Sequence, residues 1–466
     1  MLITDGSTLS TDGHVAGIKR CTNQNQTMSK LPLLLSLLIL TGSLSAQQLT
    51  PADRQQTIDA TLTLLDKEYV FPDKVDTMRQ YVRSRLSTCY DTITDSQRLA
   101  RRLTIDLQAV SNDKHLRVNY FASGVPTAEL WNKNPSPAQQ AVQRAFLNKW
   151  MLRENFGILN LSVLKGNLGY ISFKVLAPPE LAGPSYVAAM NYLAQTDALI
   201  IDLRQCNGAL SEHAIPLLCS YFFAQPTHLN DLYWRDGNRT SQSWTYAQVQ
   251  GQHYGNKPIF VLTSSATFSG GEELAYDLKN LKRATLVGDT TGGGANGGGT
   301  LQVNEHFAAF VPAGRAINPI TKANWEGVGV APDTLVSASR ALYVAQRLAI
   351  QRVLDKPDLT ADDRHYLTGI LAELNRNAPH FVRRTFTLRG HAQAKVVQLV
   401  GSFNGWSTRA NRMVRRGNEW VVEAEVEPGK VSYKFVVDGQ WMTDPANPLT
   451  EGEGLFTNSV LEVAER

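Results

Sequence analysis

The sequence predicts an α/β core preceded by a small helical subdomain and followed by an all-β sandwich, and three observations predict it. From Thr50 to about Ala109 apolar residues such as Ile58, Leu62, Leu64 and Leu65 recur at helical spacing, with Pro51 and Asp53 at the start. Between Leu168 and Pro312 short apolar runs alternate with helical or loop segments: Leu168 to Phe173, Ala198 to Leu203, Ile259 to Thr263, Ala284 to Gly288 and Ala308 to Val311. Such alternation calls for crossover connections. From Thr385 to Val463 alternating strands are broken by turns at Gly401, at Gly417 and Asn418, and at Pro428 and Gly429, the pattern of a small antiparallel sandwich.

At 466 residues the chain exceeds one ordinary core, so two or three domains are expected. A composition of 43% hydrophobic and 19% charged residues is that of a folded globular protein. The net charge of +4, with no long Lys/Arg stripe, argues against a nucleic-acid partner. No Cys/His spacing suggests zinc or another metal, and no cofactor is implied.

Met28 to Gln47 has the layout of a secretory signal peptide: one lysine, an apolar run from Leu31 to Leu40, then small residues up to Ser45 or Ala46. The run is too short for a comfortable membrane span. Residues 28–46 are therefore expected to direct export to the periplasm or the medium, with Met28 as the true start and 1–27 untranslated or unstructured. The remaining Cys89, Cys206 and Cys219 are an odd number, which leaves at least one thiol unpaired in a monomer.

The segment Pro258 to Asp289 reads strand, sharp turn, helix, strand, and places Ser269 on the turn. Gly270 and Gly271 free the backbone to enter a helix starting near Glu272. There the unpaired N–H groups and the positive end of the helix dipole favour an oxyanion forming beside the hydroxyl. The alternative is that Ser269 only caps the helix.

TSSATFSGGEE, followed by DLK and RATLVGDTTGGG, resembles the serine peptidase family of the tail-specific peptidases, the tricorn core and the repeats of interphotoreceptor retinoid-binding protein. GNLGYISF (Gly166 to Phe173), ALIIDLRQCNGA (Ala198 to Ala209) and WEGVGVAPD (Trp325 to Asp333) extend the resemblance, which covers about residues 50 to 355. YVFP (Tyr69 to Pro72) is similar to the retinoid-binding branch, and no stretch resembles the PDZ insert of the tail-specific branch. The resemblance implies a ClpP/crotonase-like core, a peptide or protein substrate and acyl chemistry on Ser269, three residues before Glu272 as in the family.

Serine needs a base. In one branch this is a lysine 25 residues on, but position 294 is glycine, and Lys279 and Lys282 read as solvated helix charges. The tricorn-like solution instead implies His115 in DKHLRV as base and Glu326, 57 residues after Ser269, in support. Imidazole suits the task because its pKa lies near neutrality. The resemblance also implies an oxyanion hole from the N–H groups of Gly208 and Gly270. Three positions depart from the family pattern: Lys114 replaces the glycine of DGHL, Cys206 an asparagine and Ala209 a second glycine. The glycine run within Thr290 to Gly299 lacks a P-loop ending and reads as a mobile loop bordering the cleft.

At the other end, GSFNGW, YKFVVDGQW and FTNSVLEV resemble the immunoglobulin-like glycogen-binding domain of the AMP-activated kinase β subunit and family-48 carbohydrate-binding modules. The resemblance implies that Trp406 and Trp441 stack on sugar rings while Lys434 and Asn458 read hydroxyls of an α-glucan or other polysaccharide. Flat aromatic faces suit the apolar side of a pyranose. The alternative makes these tryptophans packing residues.

The expected organisation is thus a signal at 28–46, a helical subdomain at 50–110, a peptidase core at 111–355, a helical linker at 356–384 and the sandwich at 385–466. The expected function is an exported serine peptidase with a glycan-binding-like domain. Two alternatives are a catalytically silent binder of a hydrophobic ligand or peptide, which the altered DLRQCNGA would favour, and a polysaccharide-associated surface protein.

Overall fold

A computed structural model describes residues 49–464 except 133–134, 405, 407, 409 and 454–456, so the expected signal at 28–46 lies outside the described residues. At the centre is a six-stranded sheet in the order Thr334–Leu335, Thr285–Gly288, Ile259–Thr263, Ala198–Asp202, Leu168–Phe173 and Ile158–Leu164. The first five strands run parallel, and Ile158–Leu164 closes one edge antiparallel. Every residue of Ala198–Asp202 and Ile259–Thr263 is buried. That burial explains why both read as continuous apolar runs and not as alternating ones.

The two faces of this sheet feed two cores. Leu199, Ile201, Ile259 and Val261 point to one side, among residues of the helices Pro179–Leu193, Ala214–Ser220 and Gly270–Asn280. Ala198, Ile200, Phe260 and Leu262 point to the other, against the helices Ala338–Leu354 and Ala361–Arg376. The period of two along a strand produces this split. The helix Ala361–Arg376 supplies Leu367, Ile370, Leu371 and Leu374 to the second core. It packs on the helix Ala338–Leu354 and so joins this core, within the segment expected to be a helical linker.

Three helices, Pro51–Glu68, Pro72–Arg83 and Ser96–Ser111, form the N-terminal region. Their shared core includes Val118, Phe307, Ala309 and Val311 from a separate antiparallel sheet of Arg117–Tyr120, Phe307–Pro312 and Gly298–Gln302. Phe307–Pro312 was expected among the alternating core strands. It pairs instead with the strand that follows the His115 segment, and so ties the helical region to the rest. A further sheet, Gly314–Ile317, His228–Trp234 and Arg239–Trp244, follows directly in the chain.

The C-terminal region is all β, with Val382–Arg389, Glu419–Val426 and Val414–Arg416 in one sheet. The facing sheet is built on Val397–Gly401, Gly429–Val437 and Asn458–Val463. Phe386, Leu388, Trp420, Tyr433 and Phe435 fill the space between them. This sandwich is seated on the α/β core through Glu425, whose carboxylate accepts from Ser337 Oγ at 2.6 Å and from Arg340 Nε at 3.0 Å. Both residues lie at the start of the helix Ala338–Leu354. Among the described residues no helix is long and apolar enough to cross a membrane.

Candidate active site

Ser269 occupies the bend between the strand Ile259–Thr263 and the helix Gly270–Asn280, with φ 52° and ψ −125°. A left-handed φ on a residue with a side chain costs on the order of 1–3 kcal/mol and persists only where the surroundings enforce it. Here Glu272 enforces it. Its fully buried carboxylate accepts the Ser269 N–H at 2.9 Å, the Thr291 hydroxyl at 2.5 Å, and the N–H groups of Gly293 and Gly294 at 2.6 and 2.8 Å. Burial raises the carboxyl's pKa, and these donors oppose the rise. The glycine run expected to be a mobile loop is consequently buried from Gly292 to Asn296 and clamped to the Ser269 bend.

His115 arrives from the far end of the helix Ser96–Ser111, which stops at a left-handed Asn112. Asp113 then accepts the His115 backbone N–H at 3.1 Å, setting the turn. The imidazole is 5% exposed and lies between the rings of Phe268, at 4.5 Å, and Phe310, at 5.7 Å. His115 and Ser269 line the same cleft, of about 230 Å³.

Gly294 also lines this cleft, and a Cβ there would lie 2.3 Å from the Phe268 ring and 2.8 Å from His115 Cε1. Any side chain at the position of the family's lysine would collide with the imidazole. The glycine at 294 therefore leaves the His115 imidazole its room.

Glu326 approaches from Trp325's loop. Its Oε2 accepts the N–H groups of Ala295 at 2.5 Å and Asn296 at 3.1 Å, while Oε1 is buried with no hydrogen-bond donor among the described residues. A ring nitrogen of His115, an oxygen of Glu326 and an oxygen of Asp113 lie within 4.8 Å of one another. Burial, with Asp113 nearby, pushes the Glu326 carboxyl up to about 8. Asp113 is raised too, mainly by burial, against hydrogen bonds from Asn296, the His115 N–H and Tyr69. Sequence reasoning missed Asp113 and the anchoring role of Glu272, although an acid two residues before the histidine was a usable signal.

Gly208 abuts Ser269. Its φ is 138°, and a Cβ there would stand 3.0 Å from Ser269 Cβ, 3.4 Å from Oγ and 3.6 Å from the Gly270 nitrogen. Among the described residues neither the Gly208 nor the Gly270 N–H donates a hydrogen bond. The structure thus brings together Ser269, His115, Glu326, Gly208 and Gly270.

Residues 167–336 match the model of peptidase family S41, and residues 49–151 match that of the N-terminal domain of peptidase S41 in eukaryotic IRBP. These two segments, residues 49–151 and 167–336, belong to peptidase family S41. Residues 384–466 match the model of the glycogen recognition site of AMP-activated protein kinase. The 5'-AMP-activated protein kinase subunit beta-1 of Rattus norvegicus is 36% identical over 91 residues, 20% of this chain and 33% of the rat protein. Protein PTST homolog 2, chloroplastic, of Arabidopsis thaliana is 33% identical over 97 residues, 20% of this chain and 18% of that protein. The chain thus spans a third or less of these curated relatives. A solved photosystem II D1 C-terminal processing protease is 14% identical, with 62% of this chain and 94% of that one covered at a TM-score of 0.38.

The departures from the S41 pattern have places in this fold. Cys206 is buried beneath Gly271, where an added Cβ would be 2.9 Å from its sulfur, and burial pushes its thiol up to about 12. Ala209 packs its methyl against Gly270. Lys114 reaches the Gly292 carbonyl at 2.5 Å and so braces the clamped loop from outside. Lys279 pairs with Asp333 at 3.1 Å on the surface of the S41 core.

In the sandwich, the register Tyr433↔Ser459 puts Asn458 across from Lys434, and Val436↔Trp441 puts Trp441 one step along. Opposite residues of an antiparallel pair share a face, so Lys434, Asn458 and Trp441 lie on one side of the sheet. Trp441 is 49% exposed, Lys434 is buried, and Trp406 follows Gly401 with φ 61° and its N–H on the Gly401 carbonyl at 2.9 Å.

Proposed function

We propose that this S41 peptidase cleaves peptide bonds through an acyl-enzyme on Ser269. His115 takes the Oγ proton as Oγ adds to the substrate carbonyl. The resulting oxyanion accepts the N–H groups of Gly208 and Gly270, which are otherwise unused. The tetrahedral intermediate collapses with transfer of the proton from His115 to the leaving amine, and water repeats the cycle on the ester. Glu326, when ionised, stabilises the imidazolium. The observation that carries this reading is the strained Ser269 facing the same cleft as His115, with Gly294 leaving the imidazole its room. Of the two changes in DLRQCNGA, Cys206 lies behind the helix Gly270–Asn280 and not in the cleft lining, while Ala209 lines the cleft.

The second half of the proposal is that the sandwich holds an α-glucan through Trp441 and Trp406, with Lys434 and Asn458 as polar contacts. Its support is the shared face of Lys434, Asn458 and Trp441. Export through residues 28–46 places the enzyme in the periplasm or medium. A serine-directed phosphonate probe tests the chemistry: it should label the wild type and not Ser269→Ala, with His115→Ala slowed by orders of magnitude. Equal labelling of Ser269→Ala would refute the nucleophile.

A further inference from the structure

Among the described residues, Arg315 lines the cleft of Ser269 and His115 without an ion pair to any carboxylate. Arg315 lies on the strand Gly314–Ile317, opposite Tyr233 in the register, and lines the cleft that Ser269 and His115 line. Its guanidinium carbon sits 5.3 Å from the Tyr233 ring centroid and 5.6 Å from that of Phe71. Its Nε is buried with no hydrogen-bond acceptor among the described residues.

Other arginines are treated differently by the fold. Arg235 gives both terminal nitrogens to main-chain carbonyls, those of Tyr69 and Asp66, each at 2.6 Å. Arg204 is locked onto Asp202, at 2.5 Å. Two acids line the same cleft, and among the described residues neither forms an ion pair with Arg315: Glu273 is engaged by Asn230 at 3.2 Å, within a buried cluster that also holds Asp277, and Glu212 lies on the cleft wall. A guanidinium with aromatic rings beside it is restrained in orientation, and its planar fork of donors matches a carboxylate.

We propose that Arg315 binds a carboxylate of the substrate and so selects peptides that carry one within reach of the scissile bond. This rests on the reading of the cleft as a peptide site, and it adds the chemical feature selected there. The carboxylate has two sources, the C-terminus of the peptide or an Asp or Glu side chain.

The test is binding to full-length Ser269→Ala, which holds peptides without cutting them. Three fluorescent peptides of one parent sequence are compared: a free C-terminus with no acidic side chain, the same peptide amidated, and an amidated peptide with one internal Glu. At least one carboxylate peptide is expected to bind about tenfold tighter than the neutral amide, a preference of the size of one charge-assisted pair, and Ser269→Ala/Arg315→Gln should abolish that preference. Which peptide shows it identifies the source. Arg315→Lys keeps the charge without the fork, so it should retain only part of the preference, and it serves as the second variant if Arg315→Gln does not fold. Equal affinity of all three peptides, no binding of any, or a preference that survives both Arg315 variants overturns the proposal. Turnover by the wild type is scored separately: peptides bound with a carboxylate preference but never cleaved would refute the peptidase mechanism and leave Arg315 standing.

Discussion

The Glu272 carboxylate accepts the backbone N–H of Ser269 at 2.9 Å and that of Gly294 at 2.8 Å on the same oxygen. One side chain therefore fixes the nucleophile's bend and, through Gly294, the space in which the imidazole sits. Replacing it with glutamine keeps the shape but turns an amide N–H₂ toward at least two N–H or O–H donors. Glu272→Gln should lose about 2–4 kcal/mol of stability, the cost of two buried donors left unpaired. Phosphonate labelling should fall with it. An unchanged denaturation midpoint would show that the clamp is dispensable.

The backbone at Ser269 gives a second test. Alanine keeps the strained φ, whereas glycine relieves it. Ser269→Gly should therefore be more stable than Ser269→Ala by about 1 kcal/mol, measured by urea unfolding. Greater stability of the alanine variant would mean the bend is not strained.

Room at position 294 is a third. Gly294→Ala puts a methyl where His115 Cε1 and the Phe268 ring now stand. If His115 is the base, kcat/KM should drop by roughly 10²-fold or more, the usual worth of a positioned base, while the fluorescence-detected melting temperature falls only modestly. Undiminished turnover would separate the imidazole from the chemistry.

The pH dependence follows from Glu326. Its pKa is raised from the ordinary 4.5 to about 8, so the folded protein retains a proton that the unfolded chain releases. The stability this contributes is present in full below about pH 4.5 and is lost as pH rises toward 8. The melting temperature should accordingly fall across that range, with Asp113 adding in the same sense. Activity should move the opposite way, kcat/KM rising toward pH 8 as the carboxylate ionises. Glu326→Gln should flatten the melting slope and remove the rising limb. A pH–rate profile identical to that of the wild type would exclude Glu326 from the proton transfer.

For the sandwich, Trp441→Ala should abolish retention on insoluble α-glucan with little change in melting temperature, because the side chain is half exposed. Trp406→Ala should weaken retention as well. If neither change alters the pull-down, the tryptophans are packing residues.

Much of this site was legible in the chain. The place of Ser269 was legible because two glycines follow it where the apolar run Ile259–Thr263 turns into a helix. Gly294 announced the absence of a lysine base. The partners of Glu272 were not legible, since a carboxylate three residues into a helix ordinarily reads as a cap or a dipole contact, and its other donors lie about twenty residues away on a loop. Phe307–Pro312 misled for a related reason: an apolar strand looks the same whichever sheet it joins. The isolation of Arg315 depends on which acids stay away from it, a property of the tertiary arrangement with no counterpart in local sequence.

The seat of the sandwich on the helix Ala338–Leu354 has a consequence for polymer-bound work. Because Glu425 grips Ser337 and Arg340 at the root of that helix, an enzyme docked on a polysaccharide would hold its cutting edge at a set reach and bearing, like a tool on a bracket and not on a leash.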